Sequence, residues 1–199
     1  MTKAEKSTAQ RITYEKICEE LSKHKINRVA GTSGSHEGRW MCRNPEIGHN
    51  WFEITCWTGY LVMTGDRGEY AFSRRDTNMI GFFKGNGHGD CLDYVREKLQ
   101  AADVRGDVSG FSLRKWRETL EDELIDCPNN YEGEDEENRT RTLQDLIDNA
   151  PESLDEAYEL LRDELEWHDD LPDLTDYSDS FVWAVRAIAW FARYVDVAI

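Results

Sequence analysis

The side chains best suited to recognise another molecule are carboxylates, and most of them lie in one stretch of the chain. Glu118–Ser180 contains 24 acidic and 3 basic side chains, whereas the 117 residues before it have a net charge of +4. Apolar residues recur at helical spacing within this stretch, so we expect its acids to be fixed on helices as well as in loops. Duplex DNA has one charge per about 1.7 Å of axis, and rows of carboxylates on rigid helices present a comparable field.

This acidic surface predicts a basic protein partner. The surface is complementary to a groove lined by Lys and Arg, as in a nucleic-acid-binding protein, and we expect no direct binding of nucleic acid by the acidic segment. The simpler alternative is solubility alone, because a high net charge keeps a protein in solution without any partner. The acids predicted to bind the partner are Glu132, Glu134, Asp135, Glu136, Glu137, Asp169, Asp170 and Asp173.

Arginines and a glycine-rich turn in the N-terminal half suggest a second, alternative site for a nucleotide or another phosphorylated ligand. Arginine forks suit phosphate, and backbone amides at a turn that precedes a helix also bind it. The turn Lys84–Asp90 lacks the lysine–serine ending of a Walker motif, so a plain chain reversal explains it more simply. The residues of this alternative site are Arg39, Arg43, Arg67, Arg74, Arg75, Gly85 and Gly87.

The sequence groups no residues in a pattern that predicts catalysis or a metal centre. His36, Cys42, His49 and Cys56 match no zinc-binding spacing, and both cysteines fall at inward strand positions, where we expect buried thiols. No second histidine lies near Cys91 to activate it as a nucleophile. We therefore predict a binding protein that is not an enzyme and has no cofactor.

Cysteine usage and hydropathy predict a reduced, cytoplasmic environment. The five cysteines form no close pairing pattern, and Met1–Arg11 is too polar for a secretory signal. The longest apolar run, Ala187–Ala192, is flanked by Arg186 and Arg193, so the sequence predicts no membrane span.

The fold is organised around Trp51–Arg75, where residues alternate between two faces and tight turns separate three short strands. With Arg39–Arg43 upstream, the pattern predicts an antiparallel meander of about four strands packed against a mostly helical C-terminal half, an α+β class. Trp51 and Trp57 share one strand face. Exposed aromatics on a sheet can stack bases, but we expect these two to be buried under a helix.

The rest of the chain predicts helices, loops and three regions within one compact domain. The regions are 1–38 with a helix and a loop, 39–110 with the sheet and short helices, and 111–199 with acidic helices packed on the sheet. Specific expectations are a loop over His24–Gly38, a helix capped by Asp76, a helix over Asp90–Ala101, an acidic loop over Cys127–Asn138, a capping box at Ser153 and Glu156, an acidic connector over His168–Tyr177 and a buried last helix over Ser178–Val197.

A set of short motifs resembles a family of uncharacterised accessory proteins of tailed bacteriophages and prophages. The motifs are Thr64–Gly68, Phe72–Arg74 and Phe82-Phe83, and the resemblance continues through Tyr94 towards the aromatic last helix. It implies a phage protein that acts in the bacterial host cytoplasm. Many such proteins inhibit host or anti-phage defence machinery, in the manner of an anti-CRISPR protein, and the family implies no active site.

Overall fold

The computed structural model describes residues 12–32, 34–89, 91–103, 108–130, 134–167 and 171–195. Residues 12–108 and 177–195 form one compact unit, the sheet unit, and residues 109–176 form a second, the acidic unit. Together they give an α+β fold with a mostly helical C-terminal half, which confirms the predicted class. The sequence of residues 109–176 contains 23 acidic and 6 basic side chains, a net charge of −17.

Eight strands and seven helices are present in the described residues. The strands are β1 (Lys25–Ala30), β2 (Gly38–Arg43), β3 (Phe52–Trp57), β4 (Tyr60–Gly65), β5 (Tyr70–Ser73), β6 (Leu99–Ala102), β7 (Ser109–Phe111) and β8 (Thr175–Tyr177). The helices are α1 (Tyr14–Glu20), α2 (Met79–Asn86), α3 (Leu92–Arg96), α4 (Leu113–Asn130), α5 (Glu134–Asp148), α6 (Leu154–Leu165) and α7 (Asp179–Tyr194).

Strands β1 to β6 form one antiparallel meander in which each strand pairs with the next, and β7 pairs with β8. The meander has two more strands than predicted. β1 lies inside the predicted loop His24–Gly38, and β6 lies at the end of the predicted helix Asp90–Ala101. Both are edge strands that pair with one neighbour, so their conformation depends on contacts distant in sequence that a local pattern does not reveal.

One face of the meander is covered by α1, α2 and α7, and this layer is the core of the sheet unit. α7 begins at Ser178, whose hydroxyl accepts a hydrogen bond from the Phe181 amide at 3.1 Å. Phe52 on β3 meets the edges of Trp183 and Trp190 from α7, with ring centroids 5.8 and 6.3 Å apart. The predicted burial of the last helix is thereby confirmed. However, α7 belongs to the sheet unit, whereas we predicted it to be part of the acidic helical region 111–199.

The start of α2 differs from the prediction by two residues. Asn78, and not Asp76, caps the helix, because its side-chain oxygen accepts a hydrogen bond from the Gly81 amide at 3.2 Å. Asp76 instead has a left-handed backbone with φ of 51°, which places it in the turn before the helix.

The acidic unit has its own apolar core beneath the carboxylates of α4, α5 and α6. Trp116 is fully buried at its centre and donates from its indole nitrogen to the Leu146 carbonyl at 3.2 Å. The predicted acidic loop Cys127–Asn138 is wrong, because α4 extends to Asn130 and α5 begins at Glu134. Strong helix propensity of the glutamates and burial of Cys127 outweigh the polar composition that suggested a loop.

Candidate functional site

Helix α6 presents a regular array of exposed carboxylates. A second row at the same four-residue interval, Glu118, Asp122 and Asp126, lies on α4, but there Glu118 is already paired with Arg114. The predicted cap at Ser153 starts α6: the Ser153 hydroxyl accepts from the Glu156 amide at 3.2 Å. The Glu156 carboxylate accepts from the Glu152 amide at 2.8 Å, one residue before the amide that a capping box would use. Ala157, Leu161 and Leu165 turn inward to the core, so the acids must face outward. The exposed acids of this helix are Asp155, Glu156, Glu159, Asp163 and Glu164.

The charge density of α6 approaches that of a nucleic-acid strand. Its 12 residues span about 18 Å at a rise of 1.5 Å per residue. Five carboxylates and the exposed Arg162 give that length a net charge of −4, or one net charge per about 4.5 Å, compared with one per about 3.4 Å along each strand of DNA. Asp155, Glu159 and Asp163 follow one another at intervals of four residues and therefore share one side of the helix.

These acids of α6 were absent from the predicted site, which emphasised the longest run of consecutive acids. Consecutive acids point in different directions on a helix, whereas acids four residues apart share a face. The helical period of Asp155, Glu159 and Asp163 after the predicted cap was therefore the more informative signal.

The predicted partner-binding acids are only partly within the described residues. Glu132, Asp169 and Asp170, together with the side chain of Glu134, lie outside them. Asp135 and Glu137 are exposed and Glu136 is half-buried, all three in the first turn of α5. Acids in the first turn of a helix are favoured by the helix dipole, so this cluster also has a role in stabilising α5.

Asp173 is held in place by neighbours of its own unit. Its carboxylate accepts from the Lys115 ammonium at 2.8 Å, and from the Thr175 hydroxyl and amide at 2.7 and 3.0 Å. The Lys115 hydrogen bond, followed by the two from Thr175, holds the pKa of Asp173 far below its usual range. Asp173 therefore stays ionised, but a local cation already neutralises its field.

Two arginines of the acidic unit are likewise paired with carboxylates. Arg114 contacts Glu118 at 2.5 Å and Asp176 at 2.9 Å, and Arg139 contacts Glu123 at 3.3 Å. The hydrogen bond to Asp176 and, as the smaller effect, the one to Glu118 raise the pKa of the Arg114 guanidinium above its ordinary value. These pairs lie on α4, α5 and β8, whereas no salt bridge among the described residues includes an acid of α6.

The alternative ligand site is dispersed. Arg39 and Arg43 lie on β2, on the sheet face opposite the helices, while Arg67 stacks over Trp183 of α7. Arg74 lies at the other end of β5, over the Phe82 ring, and Arg75 pairs with Asp76 at 3.5 Å. The six-strand sheet separates Arg39 and Arg43 from Arg67 and Arg74, so the five arginines do not converge on one ligand.

The glycine turn is explained by packing against α7. A side chain at Gly87 would place its Cβ 2.7 Å from the Cβ of Ala189, closer than real contacts allow. The carbonyl oxygens of Gly87 and Gly89 accept from the Arg186 guanidinium at 2.9 and 2.6 Å. The turn thus presents acceptors to a cation of its own chain, which is the opposite of a phosphate-binding loop.

The sheet face opposite the helices, here called the open face, has exposed aromatic rings. Trp57 and Tyr60 stack across the β3–β4 turn with ring centroids 5.3 Å apart and planes inclined by 18°. Trp57 is 43% and Tyr60 46% exposed, and Trp51 is also exposed. The prediction that Trp51 and Trp57 are buried is therefore wrong, because the helices cover the other face of β3.

The thiols of the sheet behave as the sequence predicts. Cys42 and Cys56 are buried, and burial raises the pKa of Cys56 to about 12 and that of Cys42 still higher. Across the described ranges, no three His, Cys, Asp or Glu side chains are grouped to hold a metal ion. Nor is any helix there long and apolar enough to cross a membrane.

Comparisons with known proteins do not indicate a family or a function for this chain. No protein-family model, no curated protein and no solved structure matches this chain at a significant level.

Proposed function

We propose that the protein is a non-catalytic inhibitor whose acidic unit occupies the basic, nucleic-acid-binding groove of a partner protein. A phage-encoded inhibitor of a host or anti-phage defence protein, of the anti-CRISPR kind, would act in this way. The observation that carries the proposal is α6, where five exposed carboxylates, offset only by Arg162, are fixed on one helix at a net charge spacing of about 4.5 Å, of the same order as that of one nucleic-acid strand.

Rigidity distinguishes this surface from a merely soluble one. The helix is anchored by Leu161 and Leu165 in the core, and the Trp167 amide donates to the Leu161 carbonyl at 3.1 Å to close its C-terminal end. Carboxylates on an anchored helix lose little freedom on binding, so they match a fixed row of Lys and Arg at a small entropic cost. Solubility alone requires charge but no such order.

The test compares two variants that have the same net charge. In the first, the α6 acids are neutralised by Asp155→Asn, Glu159→Gln and Asp163→Asn. In the control, three exposed acids of the sheet unit are neutralised by Glu19→Gln, Glu46→Gln and Glu69→Gln. Each immobilised chain is incubated with nuclease-treated bacterial lysate, and bound proteins are eluted with duplex DNA and identified by mass spectrometry.

We expect DNA-eluted proteins to be captured by the wild-type chain and the control, and to be reduced at least tenfold on the α6 variant. Association of a purified captured protein should slow on raising salt from about 50 to 200 mM, because exposed charges act mainly on the encounter rate. Equal capture by all three chains, or capture that duplex DNA does not reverse, contradicts the proposal.

A further inference from the structure

We propose that the open face of the sheet binds single-stranded nucleic acid, with bases stacked on the Trp57–Tyr60 pair and phosphates held by Lys25 and Arg43. This inference is independent of the acidic unit and of the function proposed for it. It assigns the sheet unit a ligand of its own.

The first observation is a pair of opposed cations. Lys25 of β1 and Arg43 of β2 are directly opposite in the antiparallel register and both are exposed. Like charges at opposed positions destabilise a sheet, and no salt bridge of the described residues includes either side chain. A phosphate between the two cations would replace their repulsion by two favourable contacts.

The second observation is the aromatic pair at the other end of the same face. Trp57 and Tyr60 stack on each other, so each ring is held in place and leaves its outer side to solvent. Bases stack on exposed aromatic rings irrespective of their identity, because every base has a π face. A pre-stacked pair is already ordered and gives up little freedom when a base is added.

The cation pair and the aromatic pair lie at the two ends of one continuous strip of the open face, here called the track. The register pairs Gly38 with Cys56, so Glu37, the residue before β2, is the one opposite Trp57, and it lies six residues from Arg43. At about 3.3 Å per residue these two ends lie about 20 Å apart, which suits a short oligonucleotide. The Arg39–Glu53 ion pair lies between them, with nitrogen–oxygen distances of 2.6 and 2.7 Å, and leaves the middle of the track electrically balanced.

A cleft beside Trp57 supplies polar groups for the edge of a base. It has a volume of about 290 Å³, and its lining includes His36, Glu37, Asp76 and Asn78. One oxygen of Glu37 accepts from the Thr58 amide and hydroxyl at 3.1 and 2.6 Å, which holds the carboxylate in place. Carboxylates accept hydrogen bonds from base N–H groups, whether the exocyclic amino group of cytosine or the N3–H of thymine and uracil. The ring of Trp57 and this cleft therefore offer a base both a stacking surface and hydrogen-bond partners.

A single strand fits this face better than a duplex or a protein. The bases of a duplex are stacked on one another and cannot reach the rings, whereas those of a single strand are free to do so. A protein interface of ordinary affinity has an apolar centre. The middle of this face is mixed, because Met41 and Val62 share it with Thr55, Thr64 and the Arg39–Glu53 ion pair.

Binding is measured on the full chain with fluorescein-labelled dT12 and U12 oligonucleotides by fluorescence anisotropy at about 100 mM salt. At this salt the Debye length is about 10 Å, so distant carboxylates are screened. The variants are Trp57→Ala and the pair Lys25→Gln with Arg43→Gln. Their matched controls are Tyr194→Ala and Lys84→Gln, which change an exposed aromatic and an exposed cation on the helices of the sheet unit.

We expect Trp57→Ala to weaken binding about 5- to 100-fold, the range for loss of one stacked base. The double cation variant should reduce the slope of log affinity against log salt by about 1.4, since each phosphate contact on a single strand contributes about 0.7. The two controls should bind like the wild type. Tighter binding of U12 than of dT12, or the reverse, identifies RNA or DNA as the ligand.

Three results overturn the inference. The first is no binding of either oligonucleotide at about 50 mM salt. The second is equal affinity for a 12-base-pair duplex. The third is a loss of affinity in Tyr194→Ala or Lys84→Gln as large as in the open-face variants. A thermal melt of each variant shows that it is folded, and if Trp57→Ala unfolds, Trp57→Phe provides the same comparison with a smaller expected loss.

Discussion

Arg186, in the middle of α7, donates from one guanidinium nitrogen to the carbonyl oxygens of Gly87 and Gly89, at 2.9 and 2.6 Å. It is only 6% exposed, on a helix that is otherwise apolar on nearly all sides. A buried charge of this kind is tolerated because backbone oxygens satisfy it. The contact ties the last helix to the turn that ends α2.

Replacing Arg186 by Met should destabilise the protein by about 2–4 kcal/mol, because two buried carbonyl groups lose their donor. Urea denaturation followed by fluorescence measures the change. Arg193→Met is the control on the same helix, at an exposed position, and should cost less than about 1 kcal/mol. Equal losses in both variants would contradict the structural role of Arg186.

Two glycines of the same region should respond in opposite directions to alanine. Gly87→Ala forces its Cβ against Ala189 and should destabilise the protein by about 1–3 kcal/mol. Gly85 lies within α2 with no heavy atom within 4 Å of an added Cβ. Gly85→Ala should therefore stabilise the protein by about 0.5–1 kcal/mol, since alanine is the better helix former. Thermal melts of both variants check the sign, and destabilisation by Gly85→Ala would contradict the packing.

Trp183 and Trp190 should be indispensable to the core of the sheet unit. Each is nearly fully buried against Phe52, and Trp183 also donates to the Glu20 carboxylate at 3.1 Å. Trp183→Ala or Trp190→Ala should cost about 3–5 kcal/mol in chemical denaturation. Tyr194→Ala, at a 56% exposed position of the same helix, should cost less than about 1 kcal/mol. Wild-type stability of both tryptophan variants would mean that α7 is not part of the core.

Some features decided by local chemistry were predictable from the sequence, although the Asp76 cap and the acidic loop Cys127–Asn138 were local predictions that are wrong. Features decided by distant contacts were not predictable. The cap at Ser153 and the burial of α7 follow from residues within a few positions of each other, and both predictions are confirmed. The alternation around Trp57 identified two strand faces but not which of them the helices cover, so its burial was predicted wrongly. The edge strand β1 was missed because its partner β2 follows a loop that dominates the local composition.

The sequence predicted which stretch of the chain is acidic, but not which of its carboxylates are exposed and unpaired. Composition located the acids in Glu118–Ser180, but the pairing of Asp173 with Lys115 joins residues 58 positions apart. Such pairs decide which carboxylates are still available to a partner, and no pattern of spacing reveals them. The regular acids of α6 required only the helical period.

The five cysteines should differ sharply in reactivity. Cys91 is exposed and Cys18 half-buried, whereas Cys42, Cys56 and Cys127 are buried. Because the thiolate is the nucleophile, the raised pKa of Cys56, at about 12, suppresses alkylation at pH 8 in addition to the lack of access. Iodoacetamide at pH 8, followed by mass spectrometry, should label Cys91 first. Labelling of Cys42 or Cys56 in the native protein before Cys91 would contradict the burial.

The Asp173–Lys115 pair should contribute to stability only above acidic pH. The pKa of Asp173 in the folded chain lies below its unfolded value of about 3.9, so its contribution is present above that value and is lost as pH falls towards the folded one. Asp173→Asn should lower stability by no more than about 1 kcal/mol at pH 7, because the pair is largely exposed. The gap to the wild type should narrow below pH 4. Denaturation at pH 7 and pH 3 measures both, and a gap that widens at pH 3 would contradict this sign.

The interruption of the sheet unit by the acidic unit sets an order of events during synthesis on the ribosome. The strands β1–β6 are complete at Ala102, but α7, which covers them, begins only at Asp179. At about 5–20 residues per second, the 76 intervening residues take roughly 4–15 s to make. Throughout that delay the nascent sheet exposes Phe52, Ile54 and Leu61. The segment that emerges meanwhile has a net charge of −17 over residues 109–176, and repulsion between the like-charged segments of two chains disfavours contact between their exposed sheets.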